Sequence, residues 1–306
     1  MKISLIGMGR VGSALAYTIL LKGLADKLIL VDRNPDISMG EALDLQHAEA
    51  FTDHQMDIQG GKIETTTGSD ILVISSSVPW NSKYSSRFDI GSDNLKLFKE
   101  LIPPLAELSP NAILLIITNP VDVMTYHAIQ LSGFEPYRVF GSGTLIDSAR
   151  FRTMLSQKVG IHPDDLRAYI LGEHGDSQFP LFSMATVGGT RIAEDELSRE
   201  IYQMTKKAGH EVMNKKGHTN YAISMSAALI IEAIVWDSHR TIPVSLLVNG
   251  YLDEYDVCLS LPAVISKNGI SKVIEPVLKK NEVAAFHECA EVVRKGIRQS
   301  KETTKA

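Results

Sequence analysis

An α/β protein is predicted, with a doubly wound parallel sheet in its first half and an α+β domain in its second. Three observations lead there. Apolar runs of strand length alternate with segments of helical period from Lys2 to Gly141. A glycine-rich turn, "GMGRVG", joins the first strand to the first helix. Beyond Gly141 the style changes to long helical stretches and short ribbon-like segments punctuated by turns. Alternating strands and helices require parallel pairing through right-handed crossovers. The change of style places the division between two domains, 1–141 and 142–306.

Each element follows in order. "KISLIGM" is a buried strand and "RVGSALAYTILLKG" a helix with apolar residues at helical spacing. "KLILVD" is the next strand, and "PDISMGEALDLQHAEAF" the next helix, with Pro35 near its start, where a missing N–H costs nothing. "KIETTT" and "DILVISSS" are expected as strands. The helical region "DNLKLFKELIPPLAEL" should be kinked or divided at Pro103 and Pro104, because proline removes a donor and crowds the preceding turn. "NAILLIIT" (strand), "VDVMTYHAIQLS" (helix) and "YRVFG" (short strand) complete the first half. In the second, "TLIDSARFRTMLSQKVG" and the region from Asp195 to Trp236 read as long helices. "LRAYILG", "FPLFSMATVGGTRI", "TIPVSLLVNG" and "VCLSLPAVIS" resemble antiparallel ribbons, and Lys279 to about Lys301 forms a charged, amphipathic final helix.

Bulk properties exclude several function classes. The 306 residues are 44% hydrophobic and 22% charged, as in an ordinary globular protein of two domains. The net charge of −5 is mild and well mixed, so a nucleic-acid partner is not expected. Cys258 and Cys289 form neither a disulfide framework nor a C-x-x-C pair, which fits a reducing cytoplasm. Arg10 interrupts the apolar N-terminus before any signal-peptide core forms, and no run reaches the ~18 apolar residues of a membrane span. The remaining histidines show no H-E-x-x-H or Cys/His spacing, so no metal is expected.

Gly7, Gly9 and Gly12 make the pattern G-x-G-x-x-G, weak as a bare string. Here it follows a strand, opens a helix, and is followed 20 residues after Gly12 by Asp32 at the end of the second strand. That context is the dinucleotide fingerprint of a Rossmann-type sheet. Gly7 permits the tight turn, Gly9 lets backbone approach a pyrophosphate, and Gly12 allows close helix-on-strand packing. The N–H groups around Arg10 and Val11 at the helix start suit phosphates. Asp32 would accept hydrogen bonds from ribose hydroxyls and repel a 2′-phosphate, favouring NAD over NADP, with Arg33 weakening that preference a little.

The stretch "YILGEHGDSQFP" raises the question of His174, which is either an incidental loop histidine or a proton-handling group. Four further stretches decide it: "SRFDIGSDN", "ITNPVDV", "GSGTLIDSARFR" and "LGEHGDSQFP". With "GMGRVG", they resemble the L-lactate and malate dehydrogenase family in order, spacing and wording, over essentially the whole chain. "GSGTLIDSAR", "GEHGDSQF" and "KGHTNYAISMS" are most similar to its L-lactate and L-2-hydroxyisocaproate dehydrogenase branch. The resemblance implies an NAD-dependent oxidoreductase acting on a small 2-hydroxy acid, a homodimer or homotetramer. The chain opens almost directly on its first strand, so an arm-free assembly is expected.

By the same resemblance His174 is the base and Asp147 the carboxylate that fixes its tautomer. Arg150, three residues after Asp147 and so on the same helical face, would grip the substrate carboxylate with a bidentate fork. Arg87 matches an arginine on a mobile loop, approximately Val78 to Phe88, whose closure would exclude water and polarise the reacting carbonyl. Asn119 matches a residue touching both substrate and nicotinamide, followed by a cis bond to Pro120. Thr219 matches a pocket-wall residue. Taken alone, Asn119 can also be read as a turn residue and Thr219 as a helix cap.

The specificity position has two alignments. Typical lactate enzymes carry glutamine six residues before the loop arginine and malate enzymes carry arginine; here that position is Asn81. Aligning on Val78 and Pro79 instead selects Trp80. Neither is a cation, so the second carboxylate of malate would be buried unpaired unless Lys83 turned inward, and lactate or a larger 2-hydroxy acid is preferred. Arg152 and Arg167 match a basic pair that binds fructose 1,6-bisphosphate in many bacterial relatives, although histidine is commoner at the second position; surface salt bridges are the competing reading. "YQMTK", from Tyr202 to Lys206, mimics the Y-x-x-x-K of short-chain dehydrogenases, but lies too late in the chain and is taken as coincidence.

Overall fold

The computed structural model describes residues 1–79 and 87–302. Its first half runs β1 (Lys2–Ile6), α1 (Arg10–Lys22), β2 (Lys27–Val31), α2 (Pro35–Glu49), β3 (Asp57–Gly61), β4 (Ile71–Ile74), α3 (Arg87–Leu108), β5 (Ile113–Ile116), α4 (Val121–Ser132) and β6 (Val139–Gly141). These strands pair in parallel in the order β3-β2-β1-β4-β5-β6. That order is the doubly wound arrangement with its reversal between β1 and β4. β1, β2, β4 and β5 are buried almost throughout, as strands covered by helices on both faces must be.

Local chemistry fixes the ends of the elements. α1 stops at Gly23, whose φ of 59° lets it turn left-handed while its N–H returns to the carbonyls of Ile19 and Leu20. Asn34 caps α2 by accepting the Asp36 N–H, and Pro35 occupies the first turn.

Two sequence expectations are corrected. "KIETTT" is not a strand: Ile63–Thr66 is a 3₁₀ turn. The threonines that favour β structure spend their hydroxyls locally, with Thr65, Thr66 and Thr67 each donating to the carbonyl three residues earlier at 2.5–2.7 Å. The strand lies earlier, in the glycine-containing "DIQGG", because α2 crosses so closely that a Cβ on Gly60 would stand 2.3 Å from the Ser38 carbonyl oxygen. The Pro103–Pro104 pair does not divide the helix; α3 runs unbroken as one element through it.

The second half comprises α5 (Leu145–Val159), β7 (Leu166–Arg167), β8 (Ile170–Leu171), β9 (Phe179–Pro180), β10 (Thr186–Val187), β11 (Thr190–Arg191), α6 (Glu196–Lys216), α7 (Tyr221–Val235), β12 (Arg240–Asn249), β13 (Tyr255–Ser266), β14 (Gly269–Val273) and α8 (Lys280–Glu302). The helical region from Asp195 is two helices, because Gly217 at φ 81° ends α6. The meander β12-β13-β14 is antiparallel, yet it is not a separate sheet. It extends the parallel one through Ser245 opposite Gly141, giving a nine-stranded mixed sheet among the described residues. A Cβ on Gly141 would lie 2.5 Å from Thr125 Oγ1, so glycine is needed at this seam. One core runs across both halves, with a smaller one formed by Phe151, Leu155, Leu166, Phe182 and their neighbours. The parallel strands β1, β4, β5 and β6 all end at one edge of the sheet, where β6 leads into α5. That edge holds the candidate site.

Candidate active site

The glycine turn is built by backbone approach. Gly7 has φ 104°, and a Cβ there would stand 2.6 Å from the Ser76 nitrogen. A Cβ on Gly12 would stand 1.9 Å from the Gly7 carbonyl oxygen, so α1 fits its strand only with glycine at that position. Gly9, by contrast, has nothing within 4 Å of where its Cβ would lie. It faces open space at the start of α1, which no side chain caps. Asp32 is fixed at the end of β2: its carboxylate accepts the Met8 N–H at 2.9 Å and the Asn34 N–H at 3.1 Å. An open cradle beside an uncapped helix start, with a held carboxylate at the next strand end, fits a dinucleotide. Arg10 is exposed and Val11 half-buried. The Val11 carbonyl accepts the Ser224 hydroxyl of α7 at 3.1 Å. His218 stands near enough to Arg10 for that charge, after burial, to hold its imidazole below the usual value. The α6–α7 connection therefore lies beside the glycine turn, and half-buried Thr219 lies on it.

Asp147 and Arg150 lie one turn apart near the start of α5. Asp147 is the hub. Its Oδ2 stands 2.5 Å from His174 Nδ1, and its Oδ1 accepts Arg150 Nη1 at 3.1 Å. A carboxylate only accepts, so Nδ1 carries the ring proton and Nε2 is left as the proton acceptor. The Asp147 side chain is 3% exposed, against 14% for His174 and 18% for Arg150, so the orienting charge is sealed while both of its partners keep access to a ligand. Arg150 lies beneath α6, where a Cβ on Gly209 would come within 3.3 Å of its Nη1.

The loop that carries His174 explains the string "GEHGD". Gly172 has φ 85° and bridges to Ser260 of β13. The buried Glu173 carboxylate folds back to accept both the N–H (3.1 Å) and the hydroxyl of Ser177. A Cβ on Gly175 would stand 2.2 Å from Glu173 Oε1, which is why glycine follows the histidine.

Asp122 and Ser245 were not legible as site residues. Asp122 Oδ2 accepts the His174 N–H at 2.8 Å, and Oδ1 accepts the Ser245 hydroxyl at 2.6 Å. Burial pushes the Asp122 carboxyl up to about 7, against the opposing pull of those two hydrogen bonds. The motif "NPVD" could have drawn attention to this aspartate; nothing in the sequence points to Ser245. Asn119 is exposed at the end of β5, and its bond to Pro120 is cis. Arg87 is the first residue of α3, and its side chain lies outside what is described. Trp80 and Asn81, the two specificity candidates, also lie outside the described residues. Tyr202 of "YQMTK" donates its hydroxyl to the Gln178 carbonyl and takes Lys206 over its ring at 5.9 Å, a packing role. Among the described residues no cluster of three or more His, Cys, Asp or Glu side chains could hold a metal ion, and no helix is long and apolar enough to cross a membrane.

Residues 1–141 match the model for the lactate/malate dehydrogenase NAD-binding domain, and residues 144–304 match that for the lactate/malate dehydrogenase alpha/beta C-terminal domain. The chain belongs to the lactate/malate dehydrogenase family. An L-lactate dehydrogenase of Synechococcus sp. (strain JA-3-3Ab) is 38% identical over 305 residues, covering 97% of this chain and 98% of the relative. The L-lactate dehydrogenase B chain of Xenopus laevis is 39% identical over 303 residues, covering 95% and 90%. Among solved structures, a lactate dehydrogenase from a Medee basin deep-sea metagenome library superposes with a TM-score of 0.94 at 33% identity, covering 98% of both chains. The minor L-lactate dehydrogenase of Enterococcus mundtii, in a ligand-bound form, gives 0.93 at 30% identity over 97% of both. As a member of this family the chain is an oxidoreductase that acts on a CH–OH group and uses NAD.

Proposed function

We propose that this chain is an NAD-dependent L-lactate dehydrogenase, interconverting L-lactate and pyruvate, with larger L-2-hydroxy acids of the 2-hydroxyisocaproate type as alternative substrates. The observation that carries this reading is the shared carboxylate: Asp147 holds at once the guanidinium one helical turn along and the imidazole of the distant His174 loop. Arg150 holds the substrate carboxylate through its planar fork. His174 takes the hydroxyl proton at Nε2 during oxidation and returns it during reduction, and Asp147 stabilises the imidazolium between those events. Arg87 polarises the carbonyl oxygen. Asn119 and Thr219 line the substrate pocket, with Asn119 also against the nicotinamide. Gly7, Gly9, Arg10, Val11, Gly12 and Asp32 hold the cofactor. NAD, when bound, supplies the hydride acceptor. Whichever of Trp80 and Asn81 faces the substrate side chain, neither supplies the cation that a second carboxylate needs. Rates of NADH oxidation with pyruvate, 2-oxoisocaproate, phenylpyruvate and oxaloacetate test this reading. The highest kcat/KM is expected on pyruvate, and a preference for oxaloacetate overturns it.

The reading extends to a cytoplasmic homo-oligomer serving fermentation, with the domains dividing at Gly141. Tyr17 and Leu21 on α1, Met39 and Leu43 on α2, and Tyr221 and Met225 on α7 are all exposed, and α1 packs on both other helices. A second copy would cover that apolar face. Sedimentation across a dilution series should show a dimer or tetramer, and a monomer at micromolar concentration contradicts this. An anionic effector such as fructose 1,6-bisphosphate is favoured near Arg152 and Arg167. Arg152 Nε is buried without a hydrogen-bond partner among the described residues, and Arg167 lines a neighbouring cleft of about 450 Å³. Adding the sugar bisphosphate should lower the KM for pyruvate, and an unchanged KM removes the effector from the account.

A further inference from the structure

Asn94 lies on α3, seven residues and about two turns after Arg87. It is fully buried, and among the described residues its amide bonds to chain outside the helix that carries it. Its Oδ1 accepts the Val78 N–H at 2.8 Å, just past the end of β4. Its Nδ2 donates to the Asn119 carbonyl oxygen at 2.8 Å and reaches Ser77 Oγ at 3.1 Å. One side chain thus joins three pieces of backbone: the run-out of β4, the turn at the end of β5, and the first turns of α3. Gly91, one turn earlier, lies against the Pro120 ring, where an added Cβ would be in ordinary contact at 3.4 Å. Thr118 tightens the same seam by donating to the Ser76 carbonyl at 2.7 Å. The bond from Asn94 is to the backbone of Asn119, so the Asn119 side chain takes no part in it.

A buried amide with both ends engaged is specific in a way an apolar residue is not, because losing either bond leaves a donor or acceptor stranded. We propose that Asn94 is a positioning residue for the reaction, fixing the Asn119–Pro120 turn and registering the start of α3 against it. The inference rests on the reading of Asn119 as a ligand contact. A shift of about 1 Å in such a contact costs on the order of 10²-fold in rate, so the effect should fall on kcat rather than on cofactor affinity.

Asn94→Asp tests this through pH. The introduced carboxyl is isosteric with the amide. When ionised it sets an oxygen against the Asn119 carbonyl oxygen; when protonated it donates there as the amide does. Burial raises the pH at which this exchange occurs. The ratio of variant to wild-type kcat for pyruvate reduction should be about 10⁻² near pH 8 and recover roughly tenfold or more toward pH 5.5. Taking the ratio removes the pH dependence common to both enzymes. Asn94→Ala, which cannot recover, should stay about 10²-fold slow at every pH with NADH affinity within about twofold of wild type. A flat Asn94→Asp ratio overturns the proposal, as does an Asn94→Ala variant that loses thermal stability while keeping kcat. Should Asn94→Ala fail to fold, the Asn94→Asp ratio decides alone. Asn119→Ala serves as the control on the underlying reading. If it turns over at wild-type speed, Asn119 is not a ligand contact and the inference falls with it. If it is crippled while both Asn94 variants are not, only the inference falls.

Discussion

The glycine turn and the histidine loop are both tight backbone structures at the same edge of the sheet, yet they are specified in different ways. In the turn, the critical contact is between Gly12 and the carbonyl of Gly7, five residues away, a carbonyl that also accepts the Ser75 hydroxyl at 2.9 Å. In the loop, His174 takes its backbone anchor from Asp122, 52 residues earlier, and its ring partner from Asp147, 27 residues earlier. The turn is fixed chiefly by steric demand. The loop rests on buried carboxylates, one of them held far from its ordinary ionisation. Substitutions should therefore act through packing in the first region and through charge in the second.

Gly12→Ala is expected to have the largest effect. A Cβ 1.9 Å from a carbonyl oxygen cannot be accommodated, so the cost should exceed about 4 kcal/mol and NADH binding should be lost with the fold. A well-folded variant in thermal denaturation would break the steric half of the comparison. Arg150→Ala follows. In the proposed reading Arg150 pairs with the substrate carboxylate, and leaving that buried charge without its partner costs roughly 3–5 kcal/mol, a fall of about 10²-fold or more in kcat/KM for pyruvate with NADH affinity retained.

Asp122→Asn sharpens the electrical half. The folded state holds this carboxyl's proton up to about pH 7, whereas the unfolded chain releases it near the ordinary value of 3.8. The folded protein thus binds more protons between those values, and its stability falls as pH rises from about 4 to 7, by as much as about 4 kcal/mol. Asparagine mimics the protonated form, accepting from His174 N–H and donating to Ser245. The variant's stability should run flat across that window, and an unchanged slope in denaturant titrations would place the buried charge elsewhere. Gly9→Ala is the smallest. Its Cβ meets open space at an ordinary φ of −79°, so stability should move by less than about 0.5 kcal/mol while NADH binds more weakly.

This contrast also explains what the sequence revealed. The parallel strands were legible because burial on both faces demands unbroken apolar runs such as "KLILV" and "ILLI". The strand β3 was not, since its glycines answer to the close passage of α2 rather than to any strand preference. Nor was the continuity of the sheet from β6 into β12, which depends on a single pairing between residues more than 100 positions apart. His174, Asp147 and Arg150 were nameable from their motifs. Asp122 and Asn94 were not, because they act on backbone amides and carbonyls, which leave no residue-type signature at the receiving end, and Ser245 was not because its partner is Asp122, 123 residues away.

The central claim is that His174, oriented by Asp147, moves the substrate proton while the glycine turn holds the cofactor independently. Turnover of pyruvate by His174→Ala, measured beside its NADH affinity, tests this most directly. The account predicts NADH binding as in wild type with turnover lower by roughly 10²–10⁴-fold. Near wild-type turnover in that variant would contradict it.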